Sequence, residues 1–520
     1  MKKKYKKKII FDISYKRIKK IIKRNNDNYL KNIAYQIDNK KLYKINKYIM
    51  NKNNYKNNFH KLIIISFIYI FFPLFLAKYI YLRKLETSSE IEIIIKETGN
   101  QKILSDFNGF IREKRRIYNF SSFPDEVYIN GDKISYSGEI VLNLNQENSI
   151  ITLKWNYDIT NCNVMFRDLN NITKVDLTKF DFSKVEDMSF MFNNCTSLES
   201  VEIGELNTPS LINMEYMFYG CTSLKSLDFK NISTQKVTNM DFFFNCIQLT
   251  SIGLNNFNTS SIIDFSFMFY NCIALTSLDL SHFHTPSLIK MNRMFEKCSN
   301  LQYLNINNFD TINVKESEFM FNGCGKLTSL DISHFNMPNN TKMMEMFCGC
   351  YLLTSLELSN FNAQSVEWLQ GMFRECYSLT SLNLTSFTSN SIGFMGNMFG
   401  GCTKLESIEF GPYFNTSSVS YIDNLFADCK SLKSLNLITF NTGKVKTMEG
   451  MFSGCSSLIS LNIGNFRTNN CDNLKGMFNG CSNLTFLNIS NFNTSQVKTM
   501  DGLFKDCSLL ESLDLSSFDT

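Results

Sequence analysis

From residue 165 onwards, the chain repeats one arrangement of apolar and polar residues about every 26 positions. Fourteen residue pairs ending in Phe mark the units, from Met165-Phe166 through the atypical Phe242-Phe243 to Leu503-Phe504, and thirteen of them are followed by Cys three residues after the Phe. The consensus reads M-F-x-x-C-x-x-L-x-x-L-x-[LI]-x-x-F-x-T-x-x-[VI]-x-x-M-x-x. A fixed period of about 20–29 residues containing L-x-x-L-x-L is typical of leucine-rich-repeat coils. The pattern predicts a solenoid of about 14 coils over residues 165–520.

One short segment of each unit alternates between apolar and polar residues, as in Ser277 to Ser281, "SLDLS". Leu278 and Leu280 would point inward and the residues around them outward, which is the pattern of a half-buried strand. Neighbouring units would pair these strands, about 4.8 Å apart, into a parallel sheet on one face of the solenoid.

A second segment of each unit has the spacing of a short helix. Thr285 and Pro286 resemble a helix start, with Thr as the N-cap and Pro as the first helical residue. The apolar residues that follow recur at i, i+3, i+6 and i+7: Leu288, Met291, Met294 and Phe295. The fold class predicted from both segments is therefore an α/β solenoid with a parallel β-sheet on one face and a short helical return.

A single coil buries too little apolar surface to offset the entropy of ordering its 26 residues, so the coils must stack in order to fold. Residues 85–164 are predicted to form a small β-rich N-terminal cap region that covers the first coil. Within it, Asn130-Gly131 lies between alternating apolar residues, which is a strong hairpin signal. Two further strand-like runs follow before residue 157.

Residues 62–82 predict a transmembrane signal anchor. Leu62 to Ala77 carries no charge, and extension to Leu82 gives 21 residues, about the thickness of a bilayer core. A buried core helix is the alternative interpretation. A cleaved signal peptide is disfavoured because 61 residues precede the apolar run.

Charge is divided unevenly about this segment. The chain has a net charge of +6, but residues 1–61 carry 20 Lys and Arg against three Asp, a net of +17, which leaves −11 for residues 62–520. Basic residues before a span place the N-terminus in the cytoplasm, so residues 1–61 are predicted to be a basic cytoplasmic tail and the repeats extracellular. The tail could also bind anionic lipid. It has no motif or folded aromatic platform for nucleic acid, so no nucleic-acid partner is predicted.

The outward positions of the predicted strands are the candidate recognition surface. The position between the last two apolar residues of the strand is Asp, Glu or Asn in thirteen units, with Gly253 as the exception, and a usual Ser two positions earlier is replaced by an aromatic residue twice. These candidate residues are Asp176, Glu202, Asp228, Asp279, Tyr303, Asn305, Asp331, Glu357, Asn383, Glu409, Asn436, Asn462, Phe486, Asn488 and Asp514. Stacked carboxylates repel one another and would attract cations, glycans or a basic partner. The alternative is a polar surface that only keeps the protein soluble.

Other reactive residues give little support for chemistry. The repeat Cys residues have no metal-ligand spacing and are predicted to be small buried thiols. Cys162, Cys348 and Cys471 lie outside the repeat positions and could form disulfides in an oxidising compartment. The histidines at 282, 284 and 334 are interpreted as surface residues. No nucleophile–base pair, phosphate loop or zinc motif is present, so no cofactor and no enzyme activity are predicted. Eleven Asn-x-Ser/Thr glycosylation acceptors follow residue 82 and none precedes it.

The repeat block resembles the BspA-like leucine-rich-repeat surface proteins, as in "MFSGCSSLISLNIGNFRTNNCDNLKG" from Met451 to Gly476. The resemblance implies a cell-surface location and, for some members, adhesion to host or matrix proteins. The N-terminal uncleaved anchor departs from many members, and the chain ends at Thr520, eighteen residues into its last coil, where we expect a truncated gene model or an end-to-end contact. Three functions remain open: an extracellular adhesion or recognition scaffold for protein or glycan, a structural or antigenic coat, and an intracellular recognition protein.

Overall fold

The computed structural model describes residues 89–106, 108–111, 116–119, 121–138, 141–241, 243–389 and 391–519. The predicted basic tail (1–61) and the predicted anchor (62–82) lie outside the described residues. Within the described ranges, no helix is long and apolar enough to cross a membrane.

The N-terminal part of the described chain is built from eight short strands. Their bounds are β1 Ser89–Ile95, β2 Gly99–Lys102, β3 Asn108–Ile111, β4 Arg116–Asn119, β5 Glu126–Ile129, β6 Asp132–Lys133, β7 Val141–Leu144 and β8 Ser149–Trp155. The predicted hairpin is confirmed: β5 pairs antiparallel with β6, and Asn130 and Gly131 both have positive φ, as a tight two-residue turn requires. The two strand-like runs after it are β7 and β8.

The N-terminal strands continue directly into the sheet of the repeats. β1 lies between β8 and the first repeat strand, β9 Ile172–Asp176, and pairs antiparallel with both. The antiparallel β1 therefore occupies the edge at which the parallel strands of the solenoid begin. Its inward side chains, Ile91, Ile93 and Ile95, are fully buried.

The repeats form a β-solenoid of about twelve turns between the first and the last strand of its sheet face. After β9, these strands are β10 Ser200–Glu202, β11 Ser226–Asp228, β12 Ser251–Gly253, β13 Ser277–Asp279, β14 Tyr303–Asn305, β15 Ser381–Leu384, β16 Ser407–Phe410, β17 Ser434–Asn436, β18 Ser460–Asn462 and β19 Phe486–Leu487. Neighbours pair in parallel, as predicted, in four groups: β9 to β12, β13 with β14, β15 with β16, and β17 to β19.

The predicted helical return is wrong for the described residues, because turns replace it. In the coil of Phe269, the backbone N–H groups of residues 265, 267, 269 and 271 donate to carbonyls of the next coil at 2.8–2.9 Å. The residues between them donate to the carbonyl three positions earlier in their own coil. Phe267 and Asn271 have φ near +60°. An α-helix needs consecutive residues with φ near about −63°, so a left-handed residue at every fourth position ends it.

This turn-rich segment carries the most regular contact between coils. One residue per coil forms a parallel β-bridge with its counterpart in the next coil, and the bridges run without interruption from Asn161 to Thr499. The column of these residues, here called the bridge column, lies three positions before the first left-handed residue of each turn. The coils are therefore joined continuously on this side, whereas strand pairing on the sheet face is interrupted.

The repeated Thr is not a helix cap. Thr285 is buried, its Oγ1 donates to the carbonyl of Asp310 in the next coil at 3.1 Å, and it accepts the N–H of the same residue at 2.8 Å. Eight more threonines bond in this way: Thr208, Thr234, Thr259, Thr311, Thr416, Thr442, Thr468 and Thr494. Each hydroxyl thus substitutes for a backbone group in joining two coils.

The core is a continuous stack of phenylalanine rings, one per coil, from Phe166 to Phe504. Successive ring centroids are 5.2–6.1 Å apart, with interplanar angles of 2–17°. In the atypical fourth unit, Phe244 stands in the stack in place of the predicted Phe243. That unit is one residue short because the second left-handed position, between Phe and Cys, is missing there.

Candidate functional site

The structure places the predicted outward residues of the strand face at the surface. All fifteen are exposed except Asp176 and Asn305, which are half-buried. Strand pairing brings several together in register, for example Asp176 with Glu202, Asp279 with Asn305, and Asn436 with Asn462. Asp331, Glu357 and Asp514 lie outside the strands.

Most of the acidic and amide residues of this row bond to their own backbone. The side-chain oxygen of Asp279 accepts the N–H of Ser281 at 2.9 Å, and that of Asp331 accepts both the N–H and the hydroxyl of Ser333. The same bond to the residue two positions on is made by Asp176, Asn305, Glu357, Asn383, Asn436, Asn462, Asn488 and Asp514. This is the Asx-turn, with Glu as a longer equivalent, and it ends the strand and starts the next turn.

These turns change the acidity of three carboxyl groups. The N–H and hydroxyl of Ser281 lower the pKa of Asp279 from its ordinary value, since both stabilise the charged form. The hydroxyls of Ser333 and Ser516 are the largest cause of the lowered pKa of Asp331 and Asp514. Three of the row's carboxylates are thus held in their charged form by the fold itself. The preference for Asp and Asn at this position has a structural cause, which the D-x-S and N-x-S spacing in the sequence could have indicated.

The first coils carry the densest negative charge of the strand face. Glu92 of β1 pairs with Asp176 of β9, and Asp176 with Glu202 of β10, so that carboxylates stand on adjacent strands. Asp228 follows on β11. Of the lysines near this run, Lys179 places its Nζ 2.9 Å from Glu90 and 3.8 Å from Glu92. Carboxylates on neighbouring strands raise one another's potential and favour a cationic partner.

Gly253 interrupts the row for a steric reason. A Cβ at residue 253 would lie 2.2 Å from the Oδ1 of Asp228, because that carboxylate lies over the glycine. The gap in the row is therefore coupled to the acidic residue before it.

Tyr303 and Phe486 stand where most coils have Ser, and their side chains are 54% and 62% exposed. Tyr303 pairs with Ser277 and Phe486 with Ser460. The two residues belong to coils seven units apart. They are separate apolar points and do not form one patch with each other.

All sixteen cysteines are free in the structure, including Cys162, Cys348 and Cys471. Twelve of the repeat thiols contact the carbonyl of a core Phe in the previous coil, as Cys298 does with Phe269 at 3.1 Å. Burial raises the pKa of these thiols, that of Cys272 to about 12. A thiol with so high a pKa is a poor nucleophile and a poor metal ligand at neutral pH.

The three described histidines lie close to one another in sequence but do not form a metal site. His282 bonds to the carbonyl of Leu254 at 2.8 Å, His284 is exposed, and burial lowers the pKa of His334. Across the described part of the chain, no group of three or more His, Cys, Asp or Glu side chains is arranged to hold a metal ion.

The repeats match a known family model along their whole length. The family is described as "Mycoplasma protein of unknown function, DUF285", and successive copies of its model match residues 160–274, 242–355, 320–410, 383–484 and 457–520. The chain belongs to this family. No curated protein matches the chain.

Solved structures with a similar fold include leucine-rich-repeat proteins. A leucine-rich repeat protein from Eubacterium ventriosum is 14% identical, with a TM-score of 0.31 over 66% of this chain and 85% of that one. The crystal structure of a TLR13–ssRNA13 complex is 16% identical, with a TM-score of 0.22 over 70% of this chain and 71% of that one.

Proposed function

We propose that this DUF285 protein is a non-catalytic recognition scaffold that binds a protein or glycan through the outer surface of its solenoid. The observation that carries this proposal is the division of labour within each coil. Nearly all the repeated Phe, Met, Leu, Thr and Cys side chains are buried and join coils to each other. The outward residues, by contrast, change from coil to coil. A stack of identical coils thus presents many parallel surfaces, and a repeated surface can bind a repeated partner with avidity.

We further propose that the repeats are displayed on the cell surface, as in the BspA-like proteins that the sequence resembles, through the predicted anchor at Leu62 to Leu82. The charge difference between residues 1–61 and the rest of the chain supports this orientation. Labelling of intact cells with an antibody against the repeats tests it. Surface labelling is expected. Labelling only after lysis would contradict the proposed topology and favour an intracellular recognition protein.

Binding is tested with the full chain on beads at graded density, against cells, matrix proteins and a glycan array. We expect binding that rises more steeply than density, because avidity needs simultaneous contacts. The matched variant neutralises the acidic run with Asp176→Asn, Glu202→Gln and Asp228→Asn. Asn in place of Asp176 keeps the bond to the N–H of Thr178. A basic partner would lose affinity for this variant, whereas Asp514→Asn at the other end serves as the control.

A structural or antigenic coat is the second candidate. It is favoured by the finding that most side chains of the acidic and amide row are already bonded to their own backbone, as Asp279 and Asp331 are. Such a row would face only solvent. A dense, uniform distribution of the protein over the cell, together with no binding at any bead density, would support the coat and contradict the scaffold.

A further inference from the structure

Three successive coils carry aromatic residues in the bridge column. Trp368, Phe394 and Tyr421, here called the aromatic row, pair through consecutive parallel bridges. The other coils have polar residues at this position: Asn161, Asp187, Asn213, Asn239, Asp264, Lys290, Glu316, Lys342, Thr447, Asn473 and Thr499. In several of them the side chain accepts the N–H two residues on, as Asp187 does from Ser189 at 2.9 Å. An aromatic side chain has no oxygen or nitrogen to do so, apart from its polar tip.

The rings of the row lie face to face along the solenoid. The centroids of Trp368 and Phe394 are 4.4 Å apart at an interplanar angle of 23°, and those of Phe394 and Tyr421 are 5.5 Å apart at 8°. All three residues are half-buried. Since the faces cover one another, the ring edges form the surface, as an apolar strip about 10 Å long between the outer centroids. Stacked rings leave no face free for a sugar, so a glycan is disfavoured at this strip.

Glycine keeps the middle of the strip uncovered. Gly393 precedes Phe394, at a position where the neighbouring coils have Glu367 and Ser420. A Cβ at residue 393 would meet only the carbonyl oxygen of Glu367 at 3.8 Å, and the backbone is not left-handed there. Neither packing nor backbone conformation therefore demands glycine at residue 393. A sequence that departs from a local rule without a structural need does so most often at a functional site.

Charges mark both ends of the strip. Lys342 precedes Trp368 in the bridge column, and the Nζ of Lys446 is 5.9 Å from the ring centroid of Tyr421. Within the part of the chain that the structure describes, neither lysine forms an ion pair. The carboxylates of Glu367 and Asp423 lie between these ends in sequence. A partner is therefore favoured if it is apolar over the rings and acidic only at the two ends.

We propose that the aromatic row is a docking site for a protein partner that lays an extended segment along the solenoid, with apolar side chains on the rings and an acidic residue at each end. Four bridge steps of about 4.8 Å separate the coil of Lys342 from that of Lys446, a span of about 19 Å. An extended chain advances about 3.3 Å per residue, so the segment is about six residues long. The site is distinct from the strand-face row and does not depend on the cellular location of the repeats.

Panning a phage library of random octapeptides on the immobilised full chain tests the proposal. The expected selection is a core of about four apolar residues flanked by Asp or Glu. The triple variant Trp368→Asn, Phe394→Asn and Tyr421→Asn installs the residue that other coils use in this column, and it should weaken the selected peptides at least tenfold. Gly393→Glu covers the strip without altering the rings, and it should have a similar effect.

Intrinsic fluorescence separates docking from a purely structural role. The chain has two tryptophans, and Trp155 is fully buried, so Trp155→Phe leaves Trp368 as the only emitter. Selected peptides should shift the emission of Trp368 and shield it from acrylamide. The thermal midpoint of Gly393→Glu should equal that of the wild type. The proposal is overturned if no peptide family is selected, if the selected flanks are basic, or if Gly393→Glu and the triple variant bind as the wild type does.

Discussion

Replacing Thr285 tests whether the buried threonines hold neighbouring coils together. Its Oγ1 donates to the carbonyl of Asp310 at 3.1 Å and accepts the Asp310 N–H at 2.8 Å. Valine has nearly the same shape without the hydroxyl, so Thr285→Val leaves both backbone groups of Asp310 without this partner. Each buried polar group left unpaired costs about 1–3 kcal/mol. We therefore expect the interface between these two coils to lose about 2–4 kcal/mol.

Two further substitutions at the same position distinguish coil pairing from helix capping. Thr285→Ser retains the hydroxyl and should cost less than Thr285→Val, since only a methyl group is removed. Thr285→Asn would be tolerated at a helix start, where Asn is among the best caps. In the structure the position is buried, with only 1% of its surface exposed, so the larger amide should destabilise at least as much as valine.

Hydrogen exchange read by mass spectrometry is the appropriate assay, because the stability of a solenoid is a sum of local interfaces. In Thr285→Val, amides around residue 310 should exchange faster, while those of distant coils keep their protection. A urea midpoint measured by fluorescence gives the global effect. If Thr285→Val were within about 0.5 kcal/mol of the wild type, the range of an ordinary surface substitution, or if Asn equalled Thr, the pairing role would be refuted.

Three other perturbations have defined outcomes. Gly454 has φ +74° and a Cβ there would lie 2.6 Å from an Asp428 side-chain oxygen, so Gly454→Ala should cost about 1–2 kcal/mol in urea unfolding, whereas Gly443→Ala, without positive φ, should not. Because the Ser333 hydroxyl lowers the pKa of Asp331, this carboxylate stabilises the fold above its ordinary pKa of 3.8, and that contribution is lost as pH falls through the folded-state pKa; removing the hydroxyl should raise the pKa in a carbon-13 NMR titration. Cys507 is only half-buried, so iodoacetamide at pH 8 should modify it before the fully buried repeat thiols in a mass-spectrometric time course, and equal rates would contradict their burial.

Some sites were visible in the sequence only in outline. The outward strand positions, such as Asp279 and Asn436, follow from alternation alone, since successive residues of a strand face opposite sides. That their oxygens bond to the backbone two residues on depends on how each strand ends in the structure. The aromatic row was not singled out, because Trp368, Phe394 and Tyr421 are 26 and 27 residues apart and meet only through stacking.

The period of the chain determined by itself that coils would stack, that strands would alternate inward and outward, and that Asn130-Gly131 would turn a hairpin, because each of these depends on local spacing or local backbone preference. The tertiary structure alone decided the rest. A spacing of i, i+3 and i+7 suits both a helix and a series of turns, and the turns form because every second N–H finds a carbonyl in the next coil. The left-handed residues at 267 and 271 are tolerated for the same reason. The buried role of Thr285 likewise needs a partner 25 residues away, which no local pattern contains.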